Sequence, residues 1–429
     1  LDEHANLQTL WNDVCQRTGA ANNCAAGRTN ALGALNAEEM ARLQAFLPRP
    51  LRTMELEGYV LDTMLDLDFG AHKLTVGGQY NDTDMIDGVF GMDGAGYRSN
   101  TKQKHRMWAL FAEDNWSLTD TLTATFGLRY DDHNVFGSHV SPRGYLVWNA
   151  SDAWTFKGGV STGYKTPRPD QLFPGISGFG GQGVLPLVGS PNLKPETSTN
   201  YELAAYYEGQ RWGLNVTGFI NKFEDKIASG GTFPNCEVAP AGSGYCVDIG
   251  PGWAELGYST FTQSVNIDKA ETRGVEMAAH VDLLDSLQLR GNYTWTKSEQ
   301  TSGVQKGLPI AGTTPAKHMA NASLNWQLND AISLSLIGEG RYDRYRDTIL
   351  DASGASHNRY YQDYTIFHLG GSWDATPWLT VNARVNNLLD KDFVSQSCLL
   401  ISQSEFNCVD DYATKDQRRS YWISLNAKF

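Results

Sequence analysis

From Leu122 to Tyr130 every second residue is apolar, and Thr123, Thr125, Gly127 and Arg129 stand between them. Side chains of an extended chain point alternately to its two faces, so this stretch has one apolar and one polar face. The period returns in Ala320, Ala322, Leu324, Trp326 and Leu328, set against Asn321, Ser323, Asn325 and Gln327. It returns again at the close, where Tyr421, Ile423, Leu425, Ala427 and Phe429 oppose Trp422, Ser424, Asn426 and Lys428. One such strand suits a soluble sandwich. Repetition in segments of about ten residues predicts an antiparallel transmembrane β-barrel, apolar towards lipid and polar towards its lumen.

The remaining chain fits that all-β class. About fifteen segments between residues 53 and 429 read as strands. Short turns such as Gly70-Ala71-His72, Thr119-Asp120 and Asn329-Asp330 alternate with long polar loops, notably 166–196, 227–259 and 394–417. Residues 1–52 read as a long extracellular loop, in which Asn36-Ala37-Glu38-Glu39 starts a short helix that ends near Pro48. With an odd strand count and a last strand descending to the short-turn side, the expectation is the C-terminal part of a larger barrel.

No run of 18 apolar residues exists, which excludes a helical membrane span. Aromatics at 11%, with 12 Trp and 19 Tyr, supply enough rings for two interfacial girdles. A net charge of −13 argues against a nucleic-acid partner, because phosphate neutralisation needs basic patches. Six cysteines fall into local pairs, Cys15 with Cys24, Cys236 with Cys246 and Cys398 with Cys408, spaced 9, 10 and 10 residues. None has the C-x-x-C form, so three disulfides in an oxidising compartment are expected. Leu1-Asp2-Glu3-His4 lacks the basic and apolar regions of a signal peptide, which implies a processed or truncated exported chain.

Several stretches resemble TonB-dependent outer-membrane receptors. They are Ser141-Pro142-Arg143 with Gly163-Tyr164-Lys165-Thr166-Pro167-Arg168-Pro169, and Asn192-Leu193-Lys194-Pro195-Glu196-Thr197-Ser198 with Tyr201-Glu202-Leu203. Asn266-Ile267-Asp268-Lys269-Ala270 with Arg273-Gly274-Val275-Glu276, and Asn386-Asn387-Leu388-Leu389-Asp390-Lys391, continue the series. The closing segment from Asp410-Asp411-Tyr412 to Phe429 is most similar to the catecholate siderophore and colicin I receptor branch. The resemblance spans about 100–429. It implies a 22-stranded barrel, of which roughly seven strands and the N-terminal plug lie outside this chain.

The same resemblance implies uptake of ferric siderophores of the catecholate type, in the outer membrane of a Gram-negative bacterium. Coupling would run to a TonB–ExbB–ExbD complex through the plug. Outer-membrane lipid and lipopolysaccharide would surround the barrel, and colicins or phages could use its loops. A tris-catecholate chelate is anionic and flat-ringed, so Arg and Lys would supply countercharge, and aromatic rings stacking. Candidates at the extracellular side are Tyr97, Arg98, Tyr164, Lys165, Arg168, Phe173, Arg341, Tyr345, Arg359 and Tyr360. Period two puts Arg341 and Tyr345 on the lumenal face with Ser335 and Glu339, and Tyr342, Arg344 and Arg346 on the outer face. Lumenal Arg129, Arg290 and Arg384 would line a polar interior or meet plug carboxylates. Gly158-Gly159 and Gly370-Gly371 read as bends or bulges. Haem, cobalamin or another metal chelate, and a passive porin, are the alternative readings. No catalytic motif, resident cofactor or metal site is expected: H-E-x-x-H and G-x-S-x-G are both missing.

Overall fold

Where two apolar-alternating segments are joined by two to four residues, they pair as hairpins, and the chain does this seven times along one end of a single sheet. A computed structural model describes residues 54–87, 92–93, 96–97 and 102–428, with short omissions at 181–184, 241, 243, 256, 304–305, 311–314, 352, 354 and 401–405. The expected helix and loop of residues 1–52, the Cys15–Cys24 pair, Arg98 and Phe429 lie outside the described residues.

Fifteen strands follow one another: β1 (Met54–Asp68), β2 (His72–Asp87), β3 (Lys102–Ser117), β4 (Leu122–His133) and β5 (Gly137–Asn149). Next are β6 (Trp154–Lys165), β7 (Glu196–Glu208), β8 (Trp212–Pro234), β9 (Thr260–Leu284) and β10 (Leu287–Gln300). The series closes with β11 (His318–Asn329), β12 (Ile332–Tyr342), β13 (Tyr364–Thr376), β14 (Leu379–Asn386) and β15 (Ser420–Ala427). Each is antiparallel to the next. Two loop strands, Ile176–Gly180 and Leu185–Val188, attach to β9 by a parallel step and complete a 17-stranded sheet. Among the described residues the sheet is open: β1 pairs with β2 alone and β15 with β14 alone.

Side chains close the short turns. Asp68 Oδ1 accepts the Gly70 N–H, Thr119 Oγ1 those of Thr121 and Leu122, and Ser151 Oγ those of Ala153 and Trp154. Asn329 Oδ1 does the same for Ala331 and Ile332. Small polar residues that bond to backbone two or three positions onward are the ordinary chemistry of such turns. Beside these turns stand Trp116, Trp148, Trp154, Trp212, Trp326, Trp373 and Trp378, each 40–52% exposed. Exposed indoles on an outer face, just within the turns, form the interfacial girdle of a barrel.

Gly159, one of the glycines read as a bend, shares another job with three further strand glycines. Gly159 stands opposite Tyr145, Gly77 opposite Phe111, Gly274 opposite Phe219, and Gly338 opposite Phe367. In each pair the ring lies across the glycine, where a Cβ would collide with it. Flat rings cover backbone that would otherwise be bare, and no register shift occurs at Gly158-Gly159 or Gly370-Gly371.

The largest buried cluster among the described residues sits at the loop end of the sheet. Phe173, Ile176, Val188, Val247, Trp253, Tyr258 and Phe261 pack together from loops 166–195 and 235–259 and the top of β9. β8 and β9 run to 23 and 25 residues and carry this cap. Long loops at this end therefore own a hydrophobic core, which is what lets them hold a shape.

Candidate ligand-capture site

The stretches that carry the family resemblance turn out to be clamps at the loop end of the sheet. Asn266 on β9 donates from Nδ2 to the Lys194 and Asp225 carbonyls, at 3.0 and 2.6 Å, and accepts the Lys194 N–H at 2.9 Å. The N-L-K-P-E segment is thereby tied to the strand two places along. Glu196, next in that segment, binds Lys226 at 3.3 Å and accepts the Ile227 N–H. Asn387 has a left-handed backbone with φ 52° and is 1% exposed. Its side chain donates to the Lys391 and Gln417 carbonyls and accepts the Lys391 N–H, closing the base of the last loop. Asn adopts such a conformation more readily than most residues.

Beside that base is a cavity of about 330 Å³, lined among others by Met319, Arg341, Arg344, Tyr361, Gln362 and Tyr364. It forms because the alternation of β12 breaks at Asp343, whose φ is 60°. Beyond this left-handed residue the chain leaves the sheet as its own hairpin, Arg344–Leu350 with Ser356–Tyr361. Arg344, expected on the outer face, is thus turned into the cavity, and the Arg344 and Arg346 guanidiniums lie 5.4 and 5.0 Å from the Tyr361 ring centre. Arg346 also donates to the Asp410 carbonyl. Period two could not reveal this. Its one trace in the sequence is the Asp between Tyr342 and Arg344, a residue type that tolerates left-handed backbone.

The two cavity arginines differ. Arg341 is already engaged with Glu339 and Asn321, each at 3.0 Å. Arg344 Nε is buried with no hydrogen-bond partner. A buried, unpaired guanidinium N–H costs free energy until an acceptor arrives. Below the cavity Ile366, Phe393 and Tyr412 form a small buried cluster, and Tyr364, Phe393 and Tyr412 meet edge to face. Their rings make the cavity floor stiff, and Tyr412 donates to Gln362 at 2.9 Å.

The other sequence candidates scatter. Arg359 is held by both oxygens of Asp347 at 2.6 Å and by Asn407, so its charge is already answered. Tyr345 is 5% exposed, bonds Thr348 and meets Tyr360 edge to face, and Tyr360 remains half exposed. At the loop end of β6, Tyr164 stacks on His139 with ring centres 4.3 Å apart. Lys165 is exposed. Arg168 pairs with Asp170 at the start of the one-turn helix α1 (Pro169–Leu172). Phe173 is buried in the cap core and is not at the mouth surface. Tyr97 belongs by its backbone to a two-residue hairpin with Met92. In the lumen, Arg129 binds Asp131 and Gln79, and Arg290 binds Gln288. Arg384, opposite Gly370 on the same face, is exposed. The disulfides Cys236–Cys246 and Cys398–Cys408 are both formed, in two of the long outer loops, which they were expected to close.

Comparison with known proteins places this architecture. The chain is 32% identical over 382 residues to the iron-regulated outer membrane virulence protein of Vibrio cholerae serotype O1, covering 88% of this chain and 52% of that protein. It is 27% identical to the ferrienterobactin receptor of Escherichia coli K12, covering 85% and 47%. A crystal structure of a mutant ferric enterobactin receptor from Pseudomonas aeruginosa in complex with enterobactin superposes with a TM-score of 0.62 at 25% identity, covering 88% and 55%. The chain spans about half the length of the curated relatives it matches. Two of these proteins, those of Escherichia coli and Pseudomonas aeruginosa, are named as receptors. A family model described as TonB dependent receptor-like, beta-barrel matches residues 6–388, which hold fourteen of the fifteen consecutive antiparallel strands, and the chain belongs to this family of outer-membrane barrels.

Proposed function

We propose that this protein captures a ferric siderophore of the tris-catecholate kind at its loop end and passes it inward by TonB-coupled transport. The observation that carries the reading is the cavity in which Arg341 and Arg344 face Tyr361 and Tyr364. An anionic chelate would bring acceptors to the Arg344 guanidinium, and its flat rings would stack on the tyrosines. Tyr164, Lys165 and Arg168 at the loop end of β6 would add further contact to a large ligand. The printed names of the relatives, an iron-regulated outer-membrane protein and two enterobactin receptors, point the same way. Inward passage would draw on the TonB–ExbB–ExbD complex acting through a plug domain, the arrangement that the family implies.

Tryptophan fluorescence of the detergent-purified product of the complete gene, titrated with an iron tris-catecholate, with haem and with cobalamin, tests this. Saturable quenching by the iron chelate, and much weaker quenching by the other two, is the expected result. Saturation by haem or cobalamin alone would keep the family and reject the ligand.

A further inference from the structure

The outer face carries a hollow that the capture site does not use. Two lateral rows lie across β6–β10, with Val160, Tyr201, Ile220, Arg273 and Lys297 nearer the loop end. Gly158, Leu203, Gly218, Val275 and Trp295 form the row beneath. Gly218 has no side chain, and a Cβ there would meet nothing closer than 4.0 Å. The rows therefore open into a groove of about 480 Å³, walled by Tyr201, Leu203, Ile220 and Trp295, with Arg273 at its upper rim.

Height matters here. Arg273 stands eight residues up β9 from Val281, the partner of the girdle residue Trp212. At about 3.4 Å per residue and a tilt of 35–45°, that is roughly 20 Å above the lower girdle, near the top of an apolar band about 25 Å tall. Cations at that level meet lipid headgroups. Lys297 pairs across the strands with Arg273, and Lys222 stands one row higher, 5.6 Å from the Tyr201 ring centre. Glu271 lies 3.7 Å from Arg273, and Glu299 pairs with Lys297. Three cations against two carboxylates leave a net positive rim above an apolar slot.

We propose that this groove holds an acyl chain of a phosphorylated glycolipid of the outer leaflet, of the lipopolysaccharide type, whose phosphates meet Arg273, Lys222 and Lys297. Slot and rim match the two ends of such a lipid: hydrocarbon against Leu203, Ile220 and Trp295, and phosphate oxygens against guanidinium and ammonium donors. A neutral lipid would fill the slot but leave the rim unanswered.

Native mass spectrometry of the detergent-solubilised protein, with added bisphosphorylated lipid A or a neutral diacyl glycolipid, tests this. The wild type should retain lipid A and release the neutral lipid. The triple variant K222Q/R273Q/K297Q should lower the lipid A-bound fraction at least tenfold. Gly218→Leu, which fills the groove and leaves every charge in place, should lower it as well. Unchanged heat-modifiable migration in gels run without boiling, which reports an intact barrel whatever the ligand, would establish that both variants are folded. Undiminished lipid A retention by either folded variant, or equal retention of the neutral lipid by the wild type, would overturn the proposal.

Discussion

Asp390 grips Arg418 with both carboxylate oxygens, at 3.0 and 2.7 Å, and accepts the Arg419 N–H as well. Twenty-seven residues of chain, including the disulfide hairpin Gln396–Leu400 with Phe406–Asp410, are gathered between these two side chains. Asp390 also has a left-handed backbone, φ 58°, so the N-L-x-D pattern encodes a latch between the end of β14 and the start of β15. Replacing Asp390 with Ala should raise amide exchange across 388–419 and leave the β1–β13 ladder protected. Exposed ion pairs contribute little to global stability, so the melting temperature should move by only a few degrees. Hydrogen exchange with mass spectrometry reads this directly.

Arg344 and Arg359 should separate in a binding assay. Arg344→Ala removes the guanidinium whose Nε is unpaired in the cavity, and affinity for an iron tris-catecholate should fall roughly tenfold to a hundredfold, the worth of a charge-assisted hydrogen bond. Arg359→Ala removes a charge already held by Asp347, so affinity should change little while the hairpin loosens. Equal losses would mean that the mouth acts through its summed charge alone.

Acid should release the loops before the sheet. Backbone and side-chain donors, led by the Ala254 N–H and including Gly252 and Asn235, hold the Glu237 carboxyl below its usual range. The Arg418 guanidinium does the same for Asp390. A depressed carboxylate pKa contributes stability that is complete above the unfolded value, about 4, and is lost as pH falls through the folded one. Limited proteolysis within 236–258 and 388–419 should therefore be slow at pH 6 and rise below about pH 4, and Glu237→Gln should show fast cleavage in its own loop at pH 6.

Gly159→Val should be costly. Its side chain would enter the space of the Tyr145 ring and the Gly144 carbonyl, and overpacking of this kind costs about 1–3 kcal/mol. Gly144→Ala, whose Cβ has no neighbour nearer than 3.9 Å, should be close to neutral. Urea unfolding monitored by tryptophan fluorescence distinguishes them. Similar midpoints for the two variants would show that the ring simply moves aside.

Strands were legible because burial on one face writes period two into the chain: Leu122–Tyr130 and Ala320–Leu328 sit where alternation puts them. Loops were less so. Alternation carried past Tyr342 misplaced Arg344, since a single left-handed Asp343 reverses the facing of the residues beyond it. Phe173 reads in sequence as an aromatic near the mouth, and only three-dimensional packing with Ile176 and Trp253 discloses that it is core. Asn266 and Asn387 were visible as parts of motifs, but their work as clamps depends on carbonyls more than 20 residues away in sequence, which no local pattern records.

The cap on β8 and β9 has a bearing on how this surface can change over generations. Its interior is fixed by Trp253, Phe261 and Ile176, while Val238 and Tyr245 stand out from it at 50% and 60% exposure. A large molecule approaching from the loop side meets only the second group. Substitutions there change the outward surface without disturbing the skeleton beneath, so these loops can diverge in sequence while the cap keeps its shape.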